Sequence, residues 1–472
     1  MNRGVVATPH RMASEVGAQV LRDGGNAIDA AIAADAVLCV LYPHMTSIGG
    51  DLMAIVWPAG AGAPVGLVGA GRSGELASIE AVRERGFDDM PARGALPITV
   101  PGTVEAWGRL LERFGTFGLG AVLEPAEALA RDGYVITAQL CEFLQAAAGW
   151  LGREPATYAL FPPMEAGMLL RNPDLAAVLR DIGRSGINTF YRGEIATAIA
   201  AAVEKRDGFI TRQDLATHRS QWVDPIAFPY RDLVVYELPP PTQGLAAAAL
   251  LVRLAARMGF SGARDTAYAL RDRYITDPDF SPAPVDPFLD PEQVAAGPGE
   301  VRDGGDTVYL CAADEHGNVV SLIQSIAFDF GSGVVAEDTG ILLQNRGAYF
   351  SLEPRHVNRL EPRKRTMHTL IPAMAAREVS VSAIATVYSI DSPDEKAGAT
   401  KLQDQLQHRW SLATALAFLA WFVFAPQCIS TIAVTRRETN GWKWPLFMVS
   451  YLFVLAYAFA GLTYWTAVAL GL

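Results

Sequence analysis

The sequence is poor in cysteine, and its few cysteines lie far apart. The 472 residues include Cys39, Cys141, Cys311 and Cys428, with no C-x-x-C pair among them. This spacing argues against a zinc site or a disulfide framework and favours small, buried side chains in a reducing compartment. We therefore expect neither a metal nor a cofactor.

Charge is also scarce, and its balance is acidic. Charged residues make up 19% of the chain, and the formal net charge is −11 with no long basic run. This balance excludes nucleic-acid binding as a main function. The first residues, Met1 to Ala7, contain no apolar stretch, so the sequence predicts no signal peptide.

Apolar residues are concentrated at the C-terminal end, which explains much of the mean hydropathy of +0.18. Residues 411–434 and 444–472 carry no charge. Both stretches exceed the roughly 20 residues that cross a bilayer as a helix. We predict two transmembrane helices within 411–472, after a polar connector over 377–410. A buried helical hairpin of a soluble domain is the less favoured alternative.

The loop between these two stretches bears on which side of the membrane residues 1–410 lie, and its signal conflicts with that of the N-terminus. Its basic residues, Arg436, Arg437 and Lys443, predict a cytoplasmic loop, which would put residues 1–410 outside the cell membrane. The missing signal peptide argues against that placement. We expect association with the inner membrane if the tail inserts, and a cytoplasmic protein otherwise.

Residues 1 to about 375 alternate helix and strand patterns, as a soluble α/β body does. The stretch from Ala27 to Leu41 is apolar on every side, which is typical of a buried core helix. Residues 307–313 and 319–325 predict two strands of a hairpin. Residues 276–304, rich in Pro, Asp and Gly, predict an exposed linker before that hairpin.

A threonine opens the first strand after this linker. A threonine hydroxyl is a poor nucleophile unless a base lies beside it. If the chain is cut between Asp306 and Thr307, the freed α-amine, with an unperturbed pKa of about 8, supplies that base. From this segment alone, an ordinary threonine at the start of a strand is clearly the better interpretation.

Ordered motifs from residue 3 to about residue 375 resemble the γ-glutamyltranspeptidase family, and in particular its oxamate amidohydrolase-like group. The motifs lie at residues 7–10, 21–31, 43–50, 100–103, 190–193, 238–244, 272–274, 331–335, 340–345 and 367–369. The resemblance implies an αββα sandwich of the Ntn-hydrolase class that cuts itself into two subunits. These would be residues 1–306 and 307–376.

The resemblance also implies roles for individual residues. Thr307 would be the nucleophile released by cleavage after Asp306, and Ser325 the second hydroxyl that hydrogen-bonds to it. Arg72 matches an arginine that holds a substrate carboxylate, a task that suits a bidentate guanidinium. His368 and Thr369 stand where the transpeptidases have a pair of serines in contact with substrate.

Three positions depart from the transpeptidase pattern. Arg346 and Tyr349 replace the side chains that recognise the glutamyl amino group, and Ala327 replaces an asparagine. A small amide that bears a carboxylate therefore fits better than a γ-glutamyl compound, because Arg72 and Arg346 both offer positive charge. Either substrate predicts a hydrolase, and a γ-glutamyl substrate would also predict a γ-glutamyltransferase of glutathione metabolism.

The C-terminal part departs further. The small subunit should continue well beyond Pro372, including a Gly-Gly oxyanion loop, whose loss would cost about 100–1000-fold in rate. Instead, residues 377–472 resemble the C-terminal end of the ferrous-iron transporter B family, in which Cys428 would lie on the iron path of a complete transporter. The sequence thus predicts an amidohydrolase with a truncated small subunit. The alternatives are a membrane fragment of an iron transporter and a chimeric chain without selected function.

Overall fold

A computed structural model describes residues 4–293, 307–376 and 443–469 of the chain. Contacts between residues divide the chain into two units, residues 1–376 and 377–472. Each unit is described by itself below. The predicted limits of the subunits within the first unit stay a prediction.

The first unit contains short strands and helices in alternation. Its strands are β1 (Val5–Ala7), β2 (Asp51–Trp57), β3 (Val65–Gly69), β4 (Tyr134–Val135), β5 (Leu169–Leu170), β6 (Gln221–Val223), β7 (Ile226–Tyr230), β8 (Leu233–Glu237), β9 (Val308–Ala313), β10 (Val319–Ser325), β11 (Val335–Ala336), β12 (Ile341–Leu342) and β13 (Ala373–Ala376). Its helices are α1 (Arg11–Arg22), α2 (Ala27–Leu41), α3 (Ile79–Glu84), α4 (Thr103–Phe114), α5 (Leu119–Asp132), α6 (Ala138–Leu151), α7 (Pro155–Leu160), α8 (Pro173–Ser185), α9 (Asn188–Arg192), α10 (Glu194–Glu204), α11 (Arg212–Thr217), α12 (Gly244–Ala255), α13 (Phe260–Tyr274) and α14 (Asp286–Leu289).

The central sheet has six strands in the order β1-β9-β10-β2-β3-β6, and every neighbouring pair is antiparallel. The predicted hairpin is confirmed, since β9 and β10 pair directly. In the turn between them, Asp314 Oδ1 accepts the backbone N–H groups of His316 and Asn318. Gly317 in the same turn has φ +96°, which a glycine adopts without steric cost.

One face of this sheet packs against helices, with α2 at the centre. All fifteen residues of α2 are buried, as its uniformly apolar sequence predicts. Asn26 begins the helix by accepting the N–H groups of Ile28 and Asp29, and the Asp29 carboxylate accepts the N–H of Asn26 in return. This capping box fixes where the core helix starts and how it lies against β9 and β10.

The other face packs against a second sheet with the strand order β13-β8-β7. Met53, Ile55 and Val68 of the central sheet share one apolar cluster with Leu238 and Met374 from the second sheet's side. Helices α12 and α13 cover the outside of the second sheet, where further apolar clusters lie. The layers therefore follow the helix–sheet–sheet–helix order of the αββα sandwich that the resemblance implies.

The segment predicted as an exposed linker is exposed or half-buried over most of residues 276–293, but the prediction is wrong at its start and at residue 288, which are buried. Thr276 and Asp277 are 0% exposed, and Phe288 of α14 lies in an apolar cluster. Asp277 is drawn inside by ion pairs with Arg72 and Arg365, which sequence composition cannot reveal. Residues 294–304 of the predicted linker lie outside the described residues.

In the second unit, the structure describes one helix, α15 (Lys443–Ala469). None of the helices in residues 4–293, 307–376 and 443–469 reaches the length and hydropathy needed to cross a bilayer. The predicted connector over 377–410 and first membrane helix over 411–434 lie outside the described residues, as does Cys428. The predicted two-helix membrane hairpin, and insertion into the inner membrane with it, is therefore not supported.

Candidate active site

The neighbouring strands β9, β10 and β2 each have a polar residue at the same edge of the central sheet, where β10 ends and where β9 and β2 begin. Ser325 at the end of β10 pairs with Asp51 at the start of β2. Thr307 lies one residue before the Val308–Gln324 pair, so the same register sets it opposite Ser325. Adjacent strands lie about 4.8 Å apart, and opposite residues of an antiparallel pair share a face. The fold thus brings the predicted Thr307 and Ser325 together.

The backbone after Ser325 turns sharply and fixes its hydroxyl. Ser325 is buried, and its Oγ accepts the N–H of Ala327 at 2.8 Å. Ala327 has φ +81°, a conformation that residues with a Cβ seldom adopt. Strain of this kind is commonly held at functional sites. Because Ser325 Oγ already accepts one hydrogen bond, the direction in which it can donate its own hydrogen is restricted.

Asp51 is the centre of the polar network, although the sequence analysis did not single it out. Its Oδ1 accepts the backbone N–H groups of Gly71 and Gly102, both at 3.2 Å, and the Nε2–H of Gln344 at 3.0 Å. Its Oδ2 lies 3.1 Å from His368 Nε2. Four donors from distant parts of the chain thus hold one fully buried carboxylate in place.

A glycine is required for part of this network. A Cβ on Gly71 would lie 1.5 Å from the carbonyl oxygen of Val100, so no larger residue fits without moving the backbone. The close approach of these two chain segments brings the Gly71 N–H to Asp51. The only sequence signal for Asp51 is a charged residue that precedes the apolar strand 52–57.

His368 is buried behind Asp51, and the structure gives both ring nitrogens an internal partner. Its Nδ1 accepts the N–H of Leu370 at 3.3 Å, so Nε2 carries the proton that it donates to Asp51. Burial and the positive charge of Arg346 lower the pKa of His368 to about 4, although Asp51 opposes this shift. Both ring nitrogens thus have partners within the chain, and the contact of His368 with substrate stays a prediction.

Arg346 lies in a short 3-10 helix, Arg346–Tyr349, that follows β12. Its side chain is buried, and its Nη1 donates to Thr369 Oγ1 at 2.8 Å, which joins two of the predicted substrate-binding residues. Its Cζ lies 5.5 Å from the centre of the Tyr349 ring. The Nε and Nη2 atoms are buried and find no hydrogen-bond partner within the described part of the chain. Burial lowers the pKa of Arg346, yet a guanidinium stays charged in proteins.

Arg72 lies at the same end of the sheet as Asp51, because its neighbour Gly71 bonds to Asp51. Its Nη1 donates to Asp277 at 2.7 Å and to the Arg363 carbonyl at 2.8 Å, and its Nη2 donates to Asp279 at 2.5 Å. Arg365 binds the same two carboxylates. The charge of Arg72 is thus already matched, and its role with substrate stays a prediction.

Arg72 also faces a cleft of about 190 Å³. The other polar side chains of the cleft include Ser73, Asp214, Thr217, His218, Arg219 and Gln221. Within the ranges that the structure describes, no group of three or more His, Cys, Asp or Glu side chains is arranged to hold a metal ion.

Comparison with known proteins decides the family. The family profile described as Gamma-glutamyltranspeptidase matches residues 13–386. The chain belongs to the gamma-glutamyltranspeptidase family. The match runs past residue 377, where the resemblance to the ferrous-iron transporter B family was expected to begin. That second resemblance is not supported by the comparisons.

Individual members of the gamma-glutamyltranspeptidase family agree. The glutathione hydrolase-like YwrD proenzyme of Bacillus subtilis is 37% identical over 413 residues, which cover 80% of this chain and 78% of that protein. The oxamate amidohydrolase proenzyme of Klebsiella pneumoniae is 36% identical over 406 residues, 79% of this chain and 76% of that protein. The crystal structure of cephalosporin acylase from Bacillus halodurans matches with a TM-score of 0.75 at 36% identity, over 80% of this chain and 75% of that one.

These relatives establish the class of the protein. Gamma-glutamyltranspeptidases and their relatives are Ntn hydrolases, so this chain is an enzyme of that class with its fold. Several relatives are named as proenzymes, which agrees with a chain that is processed by cleavage. The names differ in substrate, and they include glutathione hydrolases, an acylase and an oxamate amidohydrolase.

Proposed function

We propose that this protein is an N-terminal-threonine amidohydrolase that cuts its own chain between Asp306 and Thr307. It then hydrolyses a small amide that bears a carboxylate. The observation that carries the proposal is the register of the central sheet, which sets Thr307 opposite Ser325 at the end of two paired strands. Rigid strands hold such a pair more precisely than a loop would.

Cleavage would give Thr307 the base that it lacks as an internal residue. Hydrolysis of the Asp306–Thr307 bond consumes one water and leaves a carboxylate on Asp306 and an amine on Thr307. The amine takes the hydroxyl proton as Thr307 Oγ attacks the amide carbon of the substrate. The substrate's C–N bond breaks, its amine leaves with that proton, and water then hydrolyses the threonyl ester.

Ser325 and Asp51 would support this chemistry from the neighbouring strands. Ser325 is held by the Ala327 N–H and lies opposite Thr307, where a hydroxyl can hydrogen-bond to the nucleophile. Asp51 keeps the ends of β2 and β10 and the segments that bear Gly71 and His368 in one arrangement. Geometry of this kind lowers the barrier by orienting the reacting atoms.

The substrate class rests on the arginines and on the relatives. Arg72, Arg346 and Thr369 supply the donors that a carboxylate-bearing substrate would need. Relatives named as oxamate amidohydrolase, acylase and glutathione hydrolase share the breaking of an amide bond but differ in the amide. A γ-glutamyl compound remains the other candidate substrate.

The test is the intact mass of the purified chain beside its Thr307→Ala variant. We expect the native chain to give fragments of 306 and 166 residues, and the variant to stay whole and to lose all activity on small amides. Thr307→Ser should still cut and react, more slowly, because it keeps the hydroxyl. Thr116→Ala, which removes an exposed threonine hydroxyl between α4 and α5, is the matched control. Cleavage or activity in Thr307→Ala would overturn the assignment.

A further inference from the structure

The turn that follows Ser325 is held in an unfavourable backbone conformation. We call residues 326–333 the post-Ser325 turn. Ala327 and Phe330 in it have φ +81° and +52°, values that residues with a Cβ seldom adopt. Such conformations persist only where the surrounding structure imposes them. Because the N–H of Ala327 donates to Ser325 Oγ, whatever holds this turn also holds that hydroxyl.

The guanidinium of Arg93 binds the post-Ser325 turn at three points. Its Nη1 donates to the carbonyl oxygens of Asp329 and Gly331, the second at 2.6 Å, and its Nη2 donates to Asp329 Oδ1. These two carbonyl groups lie on either side of the Phe330–Gly331 pair, and both residues of the pair have positive φ. Hydrogen bonds from a charged donor are among the stronger ones in proteins. Arg93 therefore fixes the backbone of the turn where its conformation is least favourable.

An aromatic ring holds Arg93 itself in place. Its Cζ lies 4.0 Å from the centre of the Trp150 ring, which belongs to α6, and this is a cation–π distance. Trp150 also contacts the turn, since its ring meets the Phe330 ring edge-on with centres 6.3 Å apart. A Cβ on Gly333 would lie 2.6 Å from the same Trp150 ring. Trp150 and the turn thus enclose the guanidinium between them, and the side chain of Arg93 is only 32% exposed.

The backbone on each side of Arg93 is joined to the same region. The N–H of Gly94 donates to the Ser332 carbonyl at 2.8 Å, within the post-Ser325 turn. Asn345 Nδ2 donates to the Ala92 carbonyl at 2.6 Å, while its Oδ1 accepts a backbone N–H of the turn. Residues 92–94 thus hold the turn and the chain that follows β12 in one arrangement.

We infer that Arg93 is a positioning residue for the reaction and that it acts through Ser325. It keeps the post-Ser325 turn in the conformation that directs the Ala327 N–H to Ser325 Oγ, and so restricts where Ser325 can donate its own hydrogen. The sheet register sets Thr307 opposite Ser325. The inference rests on the proposed function and adds to it a residue that lies outside the paired strands.

The first test is the rate of self-cleavage, followed by intact mass after cell-free synthesis of the full chain. Arg93→Met removes the three hydrogen bonds and keeps an apolar side chain beside Trp150. We expect cleavage about 10- to 100-fold slower than in wild type, because a small misplacement of a reacting group has an effect of that size. Arg93→Lys keeps the charge but not the fork of donors, so its rate should lie between the two.

Arg206→Met is the matched control. Arg206 also makes three hydrogen bonds, to Glu154, Ala202 and Glu337, and none of them reaches the post-Ser325 turn. Its replacement should lower the unfolding temperature at least as much as Arg93→Met does, yet leave the rate of self-cleavage at the wild-type value. A general loss of stability would instead slow both variants alike.

The second test asks whether Arg93 acts through Ser325. Ser325→Ala removes the hydroxyl that the turn orients. In this background Arg93→Met should slow self-cleavage by less than about 2-fold further, because the effects of residues that act as a unit do not add. If Ser325→Ala is cut too slowly to measure, the comparison with Arg206→Met decides. If Arg93→Met does not fold, Arg93→Lys takes its place.

The third test needs no catalysis. Amide hydrogen exchange of Ala327 is measured on the full, uncut Thr307→Ala chain, with and without each arginine change. We expect Arg93→Met to raise the exchange rate of this amide by about 10-fold or more, because the turn that presents it opens more often. Arg206→Met should leave the rate unchanged.

The inference is overturned if Arg93→Met is cut as fast as wild type, if Arg206→Met is slowed as much as Arg93→Met, or if exchange at Ala327 does not change. It is also overturned if Arg93→Met slows the Ser325→Ala chain by the same factor as wild type. The proposed function fails separately, through cleavage of Thr307→Ala or through a wild-type chain that is never cut. In that case the exchange comparison alone decides whether Arg93 holds the turn.

Discussion

Arg72 and Arg346 both lie near the row of strand ends, and they differ in how their charge is matched. Arg72 and Arg365 share Asp277 and Asp279, so this paired cluster holds two cations and two carboxylates. Arg346 has no carboxylate at bonding distance among the described residues. The charges of the paired cluster are matched within it, although Arg365 Nε has no hydrogen-bond partner among the described residues. Two of the three guanidinium nitrogens of Arg346 are buried and have no hydrogen-bond partner in that part of the chain.

The physical chemistry of burial explains the difference. Taking a charge out of water is expensive, and a buried pair repays the cost only when each partner is well bonded. Asp277 meets that condition, since it also accepts the backbone N–H of Arg365 at 2.9 Å. Removing one partner of such a pair should therefore harm the fold more than removing a cation that has no partner. Three experiments test this contrast, from the largest expected effect to the smallest.

Asp277→Asn should give the largest effect. The carboxylate is 0% exposed and the Arg365 side chain is 2% exposed, so the variant leaves the buried Arg365 with the half-exposed Asp279 as its remaining acidic partner in the cluster. We expect the free energy of unfolding in urea to fall by about 3–5 kcal/mol. Asp279→Asn is the control, because its side chain is 53% exposed and should cost less than about 1 kcal/mol. Equal effects of the two changes would contradict the paired cluster as described.

Arg346→Met should have a smaller effect of opposite sign. It removes a buried charge that has no carboxylate partner in the described residues and leaves an apolar side chain beside Tyr349. We expect the free energy of unfolding to rise by about 1 kcal/mol. Arg365→Met, in the paired cluster, should lower it. A large loss of stability in Arg346→Met would show that Arg346 stabilises the fold, which would contradict the proposed difference between Arg346 and the paired cluster.

The smallest effect should appear in the dependence on pH. Burial alone would raise the pKa of Asp277, but the hydrogen bonds and charges of Arg365 and Arg72 outweigh it and lower the pKa below 3.8. The unfolded chain then binds the proton first. The contribution of Asp277 is therefore full above about pH 4 and declines as the pH falls towards its folded pKa.

Urea unfolding between pH 3 and 6, on wild type and Asp277→Asn, measures this decline. His218 and His368 have pKa values of about 4 in the folded chain, so they also make stability fall below pH 6.5. Both are present in each chain, and their effect cancels in the difference. The stability gap between the two chains should narrow as the pH falls, and a constant gap would exclude a titrating Asp277.

The elements that the sequence predicted correctly are those whose signal lies in neighbouring residues. The apolar run 27–41 and the hairpin strands 307–313 and 319–325 became α2, β9 and β10 with bounds that differ by at most one residue. Their composition and turn chemistry need no distant partner to be recognised. The hairpin register then followed, and it is this register that places Thr307 opposite Ser325.

Features set by distant partners were missed or misjudged. Asp51 takes its donors from residues 71, 102, 344 and 368, which no window of sequence brings together. Asp277 was predicted to lie in an exposed linker, but in the fold it is buried and forms ion pairs with Arg72 and Arg365. His368 was expected to face substrate, yet its burial behind Asp51 depends on how the whole 351–370 segment folds. Of these three residues, the resemblance located His368 but not its contacts.

The place of β9 within the central sheet has a mechanical consequence. This strand lies between β1 and β10 and is hydrogen-bonded on both sides. Cutting the chain before Thr307 would break a covalent bond without releasing the strand, because its hydrogen bonds to β1 and β10 would still hold it in the sheet. The strand order of the sheet therefore does not depend on the peptide bond before Thr307. The two fragments would therefore remain associated after the cut, and their dissociation would require breaking the hydrogen bonds between strands of the sheet.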